Sequence, residues 1–135
     1  MTTTMTSTST GTGNMLTDAR NYWRVSGIAL AAVAVLGIVL NAVDQATLLG
    51  ADFLAFDWTH NIVHVVLAGI ALTMGFTTVA QASSKMIALV IGVVYGLLGV
   101  VGFFMADIGP IHLELGENIV HLVLGAWGIV AGVAK

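Results

Sequence analysis

The chain has 135 residues, 58% of them hydrophobic and only 8% charged, with a formal net charge of −3. A soluble domain of this length cannot bury so much apolar surface, so the composition points to a bilayer as the solvent. Four basic residues cannot neutralise a run of phosphates, which argues against nucleic acid as a partner, and the absence of cysteine excludes disulfides, thiolate metal sites and thiol nucleophiles.

The opening MTTTMTSTSTGTGN has neither the basic start nor the apolar stretch of a secretory signal. Residues 1–20 read as a disordered, Thr/Ser-rich cytoplasmic tail ahead of a four-helix transmembrane domain over residues 21–135. Crossing the hydrocarbon core takes about 20 mostly apolar residues, and the chain offers that length at 23–43, 58–80, 86–105 and 117–134. The breaks are DQATLLGAD, QASSK, and ADIGPIHLELG with the only proline, Pro110.

The basic residues set an orientation. Arg20, Arg24, Lys85 and Lys135 all fall on one side, which the positive-inside rule makes cytoplasmic. Asp44, Asp52, Asp57, Asp107, Glu114, Glu117 and every histidine fall on the other. The prediction is a multi-pass protein of the cell membrane with both termini in the cytoplasm. Small residues recur along the helices: Gly69 and Gly75 in the second, Gly92, Gly96 and Gly99 in the third, Gly125, Gly128 and Gly132 in the fourth. Lipid tails are as apolar as leucine, so membrane helices associate through close backbone packing, and glycines permit it.

The start of the second helix recurs at the start of the fourth: D-W-T-H-N-I-V-H at Asp57 to His64, E-L-G-E-N-I-V-H at Glu114 to His121. The chain therefore reads as all-α, an integral membrane four-helix bundle made of two parallel helical-hairpin repeats. The two motifs are predicted to face each other at equal depth. His60 with His64, and Glu117 with His121, share a helix face one turn apart, with Asn61 and Asn118 beside them.

The segments FDWTHNIVHVVLAG, GVVYGLLGVVGFF and ENIVHLVLGAWGIVAG resemble an uncharacterised four-helix integral membrane family, a domain of unknown function. The resemblance rests on Phe56, His60, Asn61, His64, Gly92, Tyr95, Gly102, Phe103, Glu117, Asn118 and His121. Glu117 stands where the family more often has aspartate. The resemblance implies the four-helix membrane fold and no activity.

Ionisable side chains inside a bilayer need partners. One reading is an interhelical clamp, in which each imidazole bonds an Asn or carboxylate of the facing helix, drawn from Asp57, Asn61, Glu114 and Asn118. A second is a metal site, since His60, His64, Glu117 and His121 supply three imidazoles and a carboxylate suited to Zn²⁺ or another divalent transition metal, with His112 as an extra ligand or a solvated loop residue. Bis-histidine haem fits less well, because its propionates want basic partners and the basic residues lie on the other side. Transport would call for a midplane carboxylate or a broken helix, and the third span has only Tyr95. Thr73, Thr77 and Thr78 sit where hydroxyls bond the preceding turn. No nucleophile, phosphate-loop or zinc-protease spacing is present, so an enzyme is not expected. The working expectation is a structural or interaction protein without a cofactor, its partners the lipid bilayer and either copies of itself or other membrane proteins. Metal binding, pH sensing through His64 and His121, and a small transporter subunit are the alternatives.

Overall fold

The computed structural model describes residues 13–45, 47–50 and 53–135. In chain order these form a short helix α1 (Gly13–Thr17), α2 (Ala19–Ala42), a ribbon of β1 (Thr47–Leu48) with β2 (Leu54–Ala55), α3 (Trp58–Phe76), α4 (Gln81–Gly102), a second ribbon of β3 (Asp107–Ile108) with β4 (Ile111–His112), and α5 (Leu115–Val133). Helices α2 to α5 are each long and apolar enough to cross a membrane. The architecture is a four-helix membrane bundle, with both antiparallel ribbons at one end, here the ribbon end, and Lys135 at the other, the terminal end. Residues 1–12 of the expected tail over residues 1–20, and Asp52 of the first acidic loop, lie outside the described residues.

Element boundaries differ from the sequence expectation where capping decides them. Helix α2 starts four residues early, because Asp18 is extended and its Oδ1 accepts the Arg20 N–H at 2.8 Å. Just before it, Gly13–Thr17 is helical rather than tail, and Trp127 Nε1 of α5 donates to the Leu16 carbonyl at 3.0 Å. QASSK is not a break: Gln81 to Lys85 form the first turn of α4. The chain turns earlier, at Thr77, whose extended backbone ends α3. The Thr77 and Thr73 hydroxyls donate to the Thr73 and Gly69 carbonyls, the local bonding expected of them. At the second ribbon, Gly109 has φ 62°, a left-handed angle free of cost only for glycine, and Pro110 follows it in the turn.

Packing is inverted relative to a soluble protein. Many buried positions are small, among them Ala19, Ala34, Ala68, Ala71, Ala88 and Ala131, whereas large aliphatic side chains such as Ile28, Val35, Ile62, Leu97 and Val123 point outward. In water that surface would drive aggregation. In a bilayer it is the solvated face, and small residues between helices let backbones meet.

Glycines close each hairpin. A Cβ at Gly27 would sit 2.9 Å from Leu72 N, and one at Gly92 would sit 2.6 Å from Ile129 N. A Cβ at Gly75 would meet Arg24 at 2.8 Å, and one at Gly132 would meet Leu89 at 2.7 Å. These contacts pair α2 with α3 and α4 with α5, residue for corresponding residue. Gly69 and Gly96 are exceptions, with open space where a Cβ would point. The glycine stripes are thus mostly consumed inside the hairpins, and α2 bridges one hairpin to α4 and α5 of the other.

At the terminal end, basic side chains satisfy helix-end carbonyls that have no intrahelical donor. Arg24 Nε donates to Gly75 O at 2.8 Å and Lys85 Nζ to Ala134 O at 2.8 Å. Trp23 Nε1 reaches the Ser84 carbonyl at 3.1 Å, tying α2 to α4. Tyr22 packs edge-on against both Trp23 and Trp127.

Candidate functional site

The repeated motifs open α3 and α5 at the ribbon end, and their acids begin as caps. Asp57 precedes α3 in an extended conformation, its Oδ1 accepting the His60 N–H at 2.7 Å. Glu114 holds the same place before α5, where its own N–H donates to Glu117 Oε2 at 3.3 Å. These two acids are helix caps rather than acceptors for the imidazoles of the facing helix.

Across the bundle, His60 Nδ1 of α3 lies 3.3 Å from Glu117 Oε1 of α5, with both side chains buried. Among the described residues this is the one histidine–carboxylate contact joining the two hairpins. A backbone bond runs beside it, from Gly116 N–H to the Phe53 carbonyl at 2.9 Å. The His60 ring also packs on His64, with centroids 4.3 Å apart. His121 lies against Tyr95, at 5.3 Å and a tilt of 35°. The side chains of His64, His121 and Tyr95 make no hydrogen bond to any described residue, and Nδ1 of both histidines is buried.

The two asparagines depart from the clamp expectation. Neither reaches the opposite hairpin, because each is held within its own. A Cβ on Gly37 would collide with Asn61 Oδ1 and come within 2.8 Å of Phe56, and a Cβ on Gly102 would collide with Asn118 Oδ1. Each amide fills a notch left by a glycine on the preceding helix. The missing side chain at Gly37 and Gly102 is what sequence reading did not connect to the asparagines. The signal was present, since both glycines stand near the end of the helix before a motif.

Two cavities flank this cluster. The first, of about 80 Å³, lies between α2 and α5, lined by Leu30, Val33, His64, Tyr95, Val120 and His121 among others. The second, of about 50 Å³, lies between α3 and α4, lined by Val63, His64, Leu67, Tyr95, Leu98 and His121 among others. Their linings correspond under exchange of the hairpins: Leu30 for Tyr95, Val33 for Leu98, Val120 for Val63, and His64 for His121. Tyr95 is the asymmetric element, since its counterpart is aliphatic.

His112 belongs to the ribbon rather than to the buried cluster. Its Nδ1 pairs with Asp107 Oδ1 and its Nε2 lies 3.0 Å from Glu114 Oε1. The hydrogen bond and charge of Asp107, with Glu114 adding to it, raise the His112 imidazole above its usual value. Among the described residues, no group of three His, Asp or Glu side chains is placed to hold a metal ion. His60 turns to Glu117, while His121 sits beside Tyr95.

Four apolar helices and a polar cluster at one end define a multi-pass membrane helical bundle. The chain belongs to the family described as Domain of unknown function (DUF4383), whose model matches residues 58–134, from the first residue of α3 to the residue after α5. Phe56, just outside the match, is buried, whereas Phe103 follows α4 at an exposed position. No curated protein and no solved structure matches the chain.

Proposed function

We propose that this is a structural or interaction protein of the cell membrane, non-enzymatic, in which His60 and Glu117 clamp two helical hairpins together at the ribbon end. The observation that supports this reading is the buried contact at 3.3 Å between α3 and α5. Each hairpin is closed by backbone-to-backbone glycine contacts, so it needs no polar help; the join between hairpins has few such contacts, and a polar pair there sets their register. Removing one partner leaves the other buried and unpaired, which is costly where no water competes. The basic residues at the terminal end favour a cytoplasmic location for both termini, with the ribbons and the clamp outside.

The test is thermal unfolding of the full chain in mild detergent, with His60→Ala, Glu117→Gln and the double variant compared with wild type. Interhelical polar pairs in membranes contribute about 0.6 kcal/mol on average, so a coupling of about that size or larger between the two positions is expected. Single variants as stable as wild type would refute the clamp. Cross-linking in native membranes then identifies the partner, as a second copy of this chain or as another membrane protein.

A further inference from the structure

We propose that the cleft between α2 and α5 binds a lipid-soluble molecule with a small, flat, uncharged oxygen-bearing head of the quinone or quinol class, entering sideways from the bilayer. Buried polar side chains nearly always have hydrogen-bond partners, yet His64, Tyr95 and His121 line this cavity and bond to no described residue. His64 is 8% exposed, so bulk water does not serve it. A neutral imidazole carries one N–H donor and one acceptor, and a phenol does both, so the three can donate to a carbonyl or accept from a hydroxyl. That accommodates either oxidation state of one head group.

The rest of the cavity selects further. Ala29 and Val120 form an exposed rim on the lipid-facing side, and the walls are aliphatic, which suits an apolar tail lying in the membrane. An anionic head would meet Glu117, with every lysine and arginine at the other end of the bundle. An ammonium head finds that carboxylate already engaged by His60 and the Glu114 N–H. The Tyr95 and His121 rings, tilted 35° to each other, line one side of the cavity, and a planar ring packs against aromatic faces better than a branched head does. A cavity of about 80 Å³ open along one side takes a single six-membered ring and no phospholipid head group.

The test places the full chain in phosphatidylcholine nanodiscs and measures binding of decylbenzoquinone, corrected for partition into empty nanodiscs. Saturable binding of one equivalent is expected, displaced by the matching quinol and not by decylbenzene. Ala29→Trp, at the exposed rim, closes the mouth and lowers affinity about tenfold or more without moving the unfolding midpoint; Tyr95→Phe and His121→Leu weaken binding from inside. Binding no greater than in empty nanodiscs, equal affinity in Ala29→Trp, or displacement by decylbenzene would overturn the proposal. Stronger displacement by decanoate or decylamine would assign the site to a charged head and overturn it equally. The clamp at His60 and Glu117 is read by unfolding and this site by ligand binding, so either reading can fail alone.

Discussion

Asn118 occupies the space that a side chain on Gly102 would need, and Asn61 stands in the same relation to Gly37. Each asparagine of the repeated motif is thereby locked to the helix preceding it, which fixes the rotation of α3 and α5. That rotation turns His60 toward Glu117.

Gly102→Ala and Gly37→Ala are therefore expected to destabilise the bundle by about 1–3 kcal/mol each, the usual cost of overpacking a tight contact. Gly69→Ala and Gly96→Ala meet open space and should be neutral or stabilising by about 0.5–1 kcal/mol, since alanine is the better helix former. Unfolding midpoints of the four variants in detergent check this. Equal losses in all four would mean that glycine flexibility, rather than close contact, is what matters.

Exchange of Asn118 for leucine removes the amide from the Gly102 notch and adds a branched carbon in its place. A loss of about 1–3 kcal/mol is expected from misfit. The Asn118→Ala variant, which only empties the notch, should lose less. Circular dichroism during thermal unfolding separates the two.

His112 bridges Asp107 and Glu114, and both carboxylates favour its charged form. Because its folded value is raised, the bridge stabilises the second ribbon fully below the unfolded value of about 6.5 and loses that contribution as pH rises through the folded value. Proton NMR of the imidazole should show a midpoint above that of a free histidine, returning toward it in Asp107→Asn. An unshifted midpoint in the wild type would show that the ribbon does not hold the imidazole between the two acids.

Metal analysis of the purified, untagged protein should show no near-stoichiometric transition metal, because no three ligating side chains converge among the described residues. Retention of zinc at one equivalent, lost in His64→Ala with His121→Ala, would require the four side chains of the paired motifs to regroup around an ion.

Cysteine introduced at Gln45, in the link between α2 and the first ribbon, and separately at Thr78 in the link between α3 and α4, provides the topology test. Reagents that cannot cross the membrane should label intact cells at Gln45 and not at Thr78, if the basic terminal end faces the cytoplasm. The reverse pattern would invert the orientation.

The sequence alone determined that the protein lives in a membrane and crosses it four times, because each span is a local run of apolar residues whose length is set by the bilayer. It also marked the two motifs by their four shared residues. Capping shifted the ends of these helices: the Asp18 carboxylate and the extended backbone of Thr77 decide where α2 starts and α3 stops, and QASSK carries no proline or glycine that would keep it out of α4. What only the tertiary structure decided is which of the motif side chains meet. Asn61 and Asn118 share a motif with the histidines but are captured by glycines on neighbouring helices, and His60 finds Glu117 while His64 and His121 face cavities. Periodicity places a residue on a helix; its partner depends on the rotation and approach of two helices, which are set by side chains that are missing as much as by those that are present.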